Sequence, residues 1–214
     1  MKFNFFGTKT IVTKGFVLNY LIISVALCLI SKGAVNPLGL FAALSLPVFI
    51  HELGHYSAAR WLKYVPEEMA FNVNGAYVRI PDAVKNKDYF GLGLIAFTGP
   101  MANFFFGAIG LLISVFMGGA HLFGLFTLIN CIYFVGNLLV FPGTDGCHVV
   151  FGLLNALKFE TNRIYRLLGV CEKICMLSLI AGGVITAYHW RSISGYVFAF
   201  AMFYIAIMGY FKKQ

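Results

Sequence analysis

The sequence predicts an all-α polytopic membrane protein, with about six transmembrane helices and a short β-hairpin on the cytoplasmic side. The first observation behind this is composition. Sixty per cent of the 214 residues are hydrophobic and only 11% are charged, against ~45–50% and ~25% in an ordinary soluble domain. That balance excludes a soluble globular enzyme, a disordered chain and a nucleic-acid-binding domain. The second is the set of runs free of Asp, Glu, Lys and Arg: 15–31, 33–51, 89–144, 174–190 and 192–211. The third is where the basic residues fall between those runs. A chain of this length allows one domain, or a tight two at most.

A spanning helix needs roughly 17–25 mostly apolar residues. The first run gives a helix over 15–31. It has a basic start, but the next apolar run follows almost at once, so it is read as a span and not as a cleavable signal. The second run continues through His51-Glu52 to about Ala59 and gives a helix over 38–59. The run from Tyr89 to Thr144 is long enough for two spans, 92–117 and 122–142, with a turn near Gly118-Gly119-Ala120-His121. The last two runs give 174–190 and 193–211.

Six spans place both termini on one side. Fourteen of the sixteen Lys and Arg residues then share that side, and only Lys32 and Arg191 lie opposite. The positive-inside bias makes both termini cytoplasmic. Trp61 and Tyr64 fall at the inner boundary, Tyr188 and Trp190 at the outer one. In the polar stretch after the second span, residues 69–73 and 76–80 flank Asn74-Gly75 and read as a hairpin, since Asn-Gly supplies the positive φ angles of a type I′ turn. Residues 146 to about 170 read as a partly amphipathic helix ending in a basic cytoplasmic loop. Five cysteines show no CxxC pair, so they imply no disulfide framework.

Residues 51–55 read His-Glu-Leu-Gly-His. On a helix, positions i and i+4 share a face, so both imidazoles can address one metal, and Glu52 falls where it can take a proton from water. The motif interrupts an apolar span. A carboxylate inside hydrocarbon costs roughly 2.5–3.5 kcal/mol on insertion scales, which marks it as functional rather than decorative. A catalytic zinc takes three protein ligands and keeps one position open. Between Asp88 and Glu160 the one acidic residue is Asp145. Helices two and four both run inward, so His51, His55 and Asp145 arrive at the same leaflet. The competing reading of Asp145 is an N-cap of the following helix.

These residues, with Gly99-Pro100-Met101-Ala102-Asn103 and the block from Asn137 to Asp145-Gly146, resemble the site-2 protease family of intramembrane zinc metalloproteases. The resemblance covers about residues 38–150. It implies one Zn²⁺ per chain on His51, His55 and Asp145. It also implies that Glu52 activates water and that Asn137 positions the substrate or its oxyanion. The substrate is then a single-pass membrane protein, cut within the bilayer. Asn103 and Asn137 could also be interhelical hydrogen-bond glue. His148 could reach the metal, though packing or a hydrogen bond to Asp145 competes. Departures are Val140 for a usual proline, Gly143-Thr144 for a Pro-Leu pair and Cys147 for a second glycine; they bear on loop geometry. The expected organisation is a single membrane-embedded metalloprotease core over 1–214 with no PDZ or CBS module, in a prokaryotic cell membrane. The alternative function is a non-proteolytic metal-binding membrane protein or transporter. That reading predicts polar residues continuing to the outer leaflet.

Overall fold

The computed structural model describes residues 1–30, 36–73, 75–119, 121–141 and 143–189. The chain opens with two short strands, β1 (Lys2–Phe5) and β2 (Thr8–Val12), followed by α1 (Lys14–Ile30) and α2 (Pro37–Trp61). Strands β3 (Glu68–Asn72) and β4 (Gly75–Arg79) and the one-turn α3 (Pro81–Lys85) come next. Then follow α4 (Tyr89–Phe116), α5 (His121–Leu138), α6 (Asp145–Ala156) and α7 (Thr161–His189). Among the described residues α2, α4, α5 and α7 are long and apolar enough to cross a membrane, and α1 is a shorter apolar helix. Five of the six expected helices are therefore present as helices; the sixth, over 193–211, lies outside the described residues.

The strands form one sheet in the order β1-β2-β3-β4. The expected hairpin is β3-β4, but its register differs. Asn72 pairs with Gly75, so Gly75 is a strand residue at φ +134°, and not the second residue of an Asn74-Gly75 turn. Asn74 itself lies outside the described residues. The amino-terminal hairpin was not expected. Phe6 and Gly7 both take positive φ (44° and 84°) between paired Phe5 and Thr8, the geometry of a two-residue primed turn. Strand β2 then lies parallel to β3. Lys9 pairs with Glu68 across that seam at 2.6 Å, and the ammonium holds the Glu68 carboxyl below its ordinary range.

The sheet rests on the helices through Val12, Phe16, Val48, Met69 and Phe71, all buried. It brings the amino-terminal strands and the first part of the 60–88 connection side by side. Helix α4 is central and packs against α2, α5 and α6. Asp88 caps it: one carboxylate oxygen accepts from Gly91 N–H at 2.9 Å and the other from the Tyr64 hydroxyl at 2.6 Å. Phe104, Phe105 and Phe106 are exposed on α4, the lipid-facing bulk their position suggests.

Two expectations fail beyond α5. Helix α5 stops at Leu138, four residues short of the expected end, because the chain turns before Asp145. Thr144 stitches that turn: its hydroxyl donates to the carbonyls of Leu139 (2.6 Å) and Phe141 (2.9 Å). The basic segment 161–173 is the first part of the 29-residue α7, so the connection to it is only 157–160.

Candidate metal centre

Helix α2 presents His51 and His55 toward α4, and both of them and Glu52 are buried. Asp145 is the first residue of α6, with Thr144 in the cap position. Its carboxylate is thus not the cap. Asp145 Oδ2 lies 2.9 Å from His51 Nε2 and 3.3 Å from His55 Nε2, and the two Nε2 atoms are 3.2 Å apart.

The other ring nitrogens decide what this triangle is. His51 Nδ1 lies 2.7 Å from Asn103 Oδ1, and His55 Nδ1 lies 2.8 Å from the Ile95 carbonyl oxygen. Both partners accept, so both Nδ1 atoms carry a proton, and in the neutral rings both Nε2 atoms present lone pairs. Two neutral imidazoles and a carboxylate oxygen then converge lone pair to lone pair, and Asp145 Oδ2 is a buried atom without a hydrogen-bond partner. Three converging lone pairs repel unless a cation sits among them. Tetrahedral Zn²⁺ with bonds of about 2.0–2.1 Å separates its ligand atoms by roughly 3.3 Å, close to the spacings found. Among the described residues these three are the group of His, Cys, Asp and Glu placed to hold a metal.

Glu52 is buried beside the triangle, and its Oε2 has no hydrogen-bond partner. That orphaned oxygen is where a water molecule belongs. A cavity of about 830 Å³ reaches Glu52, both histidines and Asp145, and its other walls include Tyr20, Tyr133, Asn137 and His148 with β4 residues Gly75–Val78. Asn137 therefore faces the same space; one amide N–H donates to the Tyr133 carbonyl at 3.0 Å. His148 lines the cavity and is outside the ligand triangle.

Asn103 holds His51 in place and does not reach into the triangle. Helices α2 and α4 approach closely enough for this because Gly54 and Gly99 face each other: a Cβ on Gly54 would meet the Gly99 Cα at 2.9 Å. A Cβ on Gly99 would collide with the His55 ring and lie 3.0 Å from His51 Cε1. Gly99→Ala should therefore splay both imidazoles and weaken metal binding by about ten-fold or more, the scale of overpacking by one methyl group. Chelator competition on the purified variant measures this; unchanged affinity would mean the rings can shift without loss.

Residues 39–122 match peptidase family M50. That stretch contains His51, Glu52, His55 and Asn103 and ends before Asp145, so Asp145 enters the site on geometry. No curated protein matches the chain. The fold is similar to that of the site-2 protease from Methanocaldococcus jannaschii, with a TM-score of 0.59 and 21% identity over 98% of this chain and 94% of the other.

Proposed function

We propose that this chain, whose residues 39–122 match the model of peptidase family M50, is an intramembrane zinc metalloendopeptidase that hydrolyses a peptide bond in or near the transmembrane segment of a single-pass membrane protein. The observation that carries this is the convergence of His51 Nε2, His55 Nε2 and Asp145 Oδ2 beside the orphaned Glu52 carboxylate, in a cavity within apolar helices. The chain is an integral membrane protein, and we read it as six spans with both termini cytoplasmic, on the distribution of its basic residues.

Bound by the two histidines and Asp145, zinc would lower the pKa of water toward ~7 and polarise a carbonyl. Glu52 accepts the proton released as water attacks the peptide carbonyl carbon. It then gives that proton to the amide nitrogen as the C–N bond breaks. Asn103 and the Ile95 carbonyl hold the histidine tautomers throughout. Asn137 keeps a second amide N–H free of the Tyr133 bond, in reach of a carbonyl oxygen in the same cavity.

A transmembrane helix hides its carbonyls in its own hydrogen bonds, so the scissile stretch must unwind. The edge of β4 is placed to hold it. The Arg79 carbonyl accepts from Glu67 N–H at 2.9 Å, toward β3, so the N–H and C=O of Val78 face the open edge. Val78 also lines the cavity that contains Glu52. An extended segment can pair with that edge by strand addition. Val78→Pro removes one outward donor. Cleavage should fall while metal content and membrane insertion stay normal; undiminished cleavage would mean that substrate is held elsewhere.

The test of the function is co-expression with a library of tagged single-pass proteins, comparing the unmodified chain with Glu52→Gln. Fragments that depend on Glu52 support the protease. A library with no such fragments favours a metal-bearing protein that cuts nothing.

A further inference from the structure

The buried polar network does not end at Asn103. Asn103 and Asn130 are both fully buried, on α4 and α5. Asn103 Nδ2 donates to the Pro47 carbonyl and to Asn130 Oδ1, each at 2.9 Å. Asn130 Nδ2 donates to the Phe126 carbonyl at 2.8 Å. The chain of bonds therefore runs from a backbone oxygen of α5, through two amides, to the imidazole of His51.

Each link dictates the next. The Phe126 carbonyl can only accept, so Asn130 must turn its NH₂ toward it and its oxygen toward Asn103. Asn103 then meets acceptors on two sides, Pro47 and Asn130, and both its N–H groups are taken. Its oxygen is left facing His51 Nδ1, which must carry the proton. In the neutral ring, His51 Nε2 is thereby left with its lone pair toward His55 and Asp145. Without Asn130, one buried N–H of Asn103 loses its acceptor, which costs the desolvation of that group and frees the amide to reorient.

We propose that Asn130 is a positioning residue for the metal centre, acting through Asn103 to fix the tautomer and orientation of His51. The proposal rests on the metal-site reading given above and extends it to a residue on a helix that supplies none of the three ligands. Outer hydrogen-bond partners of metal-bound histidines typically carry a ten- to hundred-fold share of metal affinity.

The test uses the full chain purified in detergent, with Co²⁺ as the probe, read by its visible absorption and by chelator competition. Asn130→Leu, close to isosteric, should weaken Co²⁺ binding by about ten-fold, at the low end for an outer partner, and shift the absorption envelope. Asn130→Ser, too short to reach Asn103, carries the same expectation if the leucine variant fails to fold. Asn130→Asp, whose protonated carboxyl keeps an acceptor for Asn103 and a donor for Phe126, should bind close to the unmodified chain. On an Asn103→Leu background, Asn130→Leu should add no further loss, because the link is already cut. Unchanged affinity and spectrum in both Asn130→Leu and Asn130→Ser overturn the relay. So does a full second loss on the Asn103→Leu background, which would mean that Asn130 acts through packing. An unmodified chain that binds no Co²⁺ overturns the metal centre and the relay together, whereas normal binding with unaffected Asn130 variants overturns the relay alone.

Discussion

Purified His55→Ala protein should carry almost no zinc, while the unmodified chain should carry close to one equivalent. The triangle of Nε2, Nε2 and Oδ2 has sides of 2.9, 3.3 and 3.2 Å, and a catalytic zinc has no protein ligand to spare beyond three. Removing one imidazole leaves two donors and an enlarged cavity that water fills. Asp145→Ala should lose zinc as strongly, since its oxygen closes the triangle against both rings. Metal analysis by mass spectrometry of detergent-purified protein measures both. Full zinc in Asp145→Ala would remove Asp145 from the ligand set and bring forward His148, one turn along α6 in the wall of the same cavity.

Much of this centre is legible in the sequence because its parts are local. His51, Glu52 and His55 lie within one and a half turns of one helix, so their shared face follows from the helical repeat alone. Asp145 is distant in sequence, yet counting spans places it at the same leaflet, and the structure brings it within 3.3 Å of both histidines. What escapes the sequence is pairing across elements. Lys2–Phe5 and Thr8–Val12 are short, and their turn is Phe6-Gly7, with a phenylalanine at a position where asparagine or aspartate would have signalled it. Their place in the sheet depends on a parallel partner 59 residues on. The β3-β4 register is off by one residue on each strand from the one that an Asn74-Gly75 turn would set. Asn130 reads as one weakly polar residue in an apolar span, and only its distance to Asn103 shows that it belongs to the histidine network.

Glu52→Gln should retain zinc and substrate and cut at least ~10²-fold more slowly, the low end for losing a general base. The structure gives three reasons to expect separation of binding from chemistry. First, Glu52 is outside the ligand triangle, so the change leaves both imidazoles and Asp145 in place. Second, no basic side chain among the described residues pairs with it; the nearest in sequence, Arg60, is exposed two turns along α2. The amide therefore breaks no ion pair, and its volume matches the carboxyl. Third, Glu52 Oε2 is buried with no protein partner, so the group that loses its function is one that can only address water or substrate. A glutamine there still hydrogen-bonds water but cannot take its proton, and it has none to return to the leaving amine. The variant should accumulate uncut substrate in a complex recoverable by affinity purification, with the zinc content of the unmodified chain. Cleavage by Glu52→Gln at the unmodified rate would mean that the proton is taken elsewhere. The arrangement of His51, His55 and Asp145 would then be better read as the metal site of a transporter.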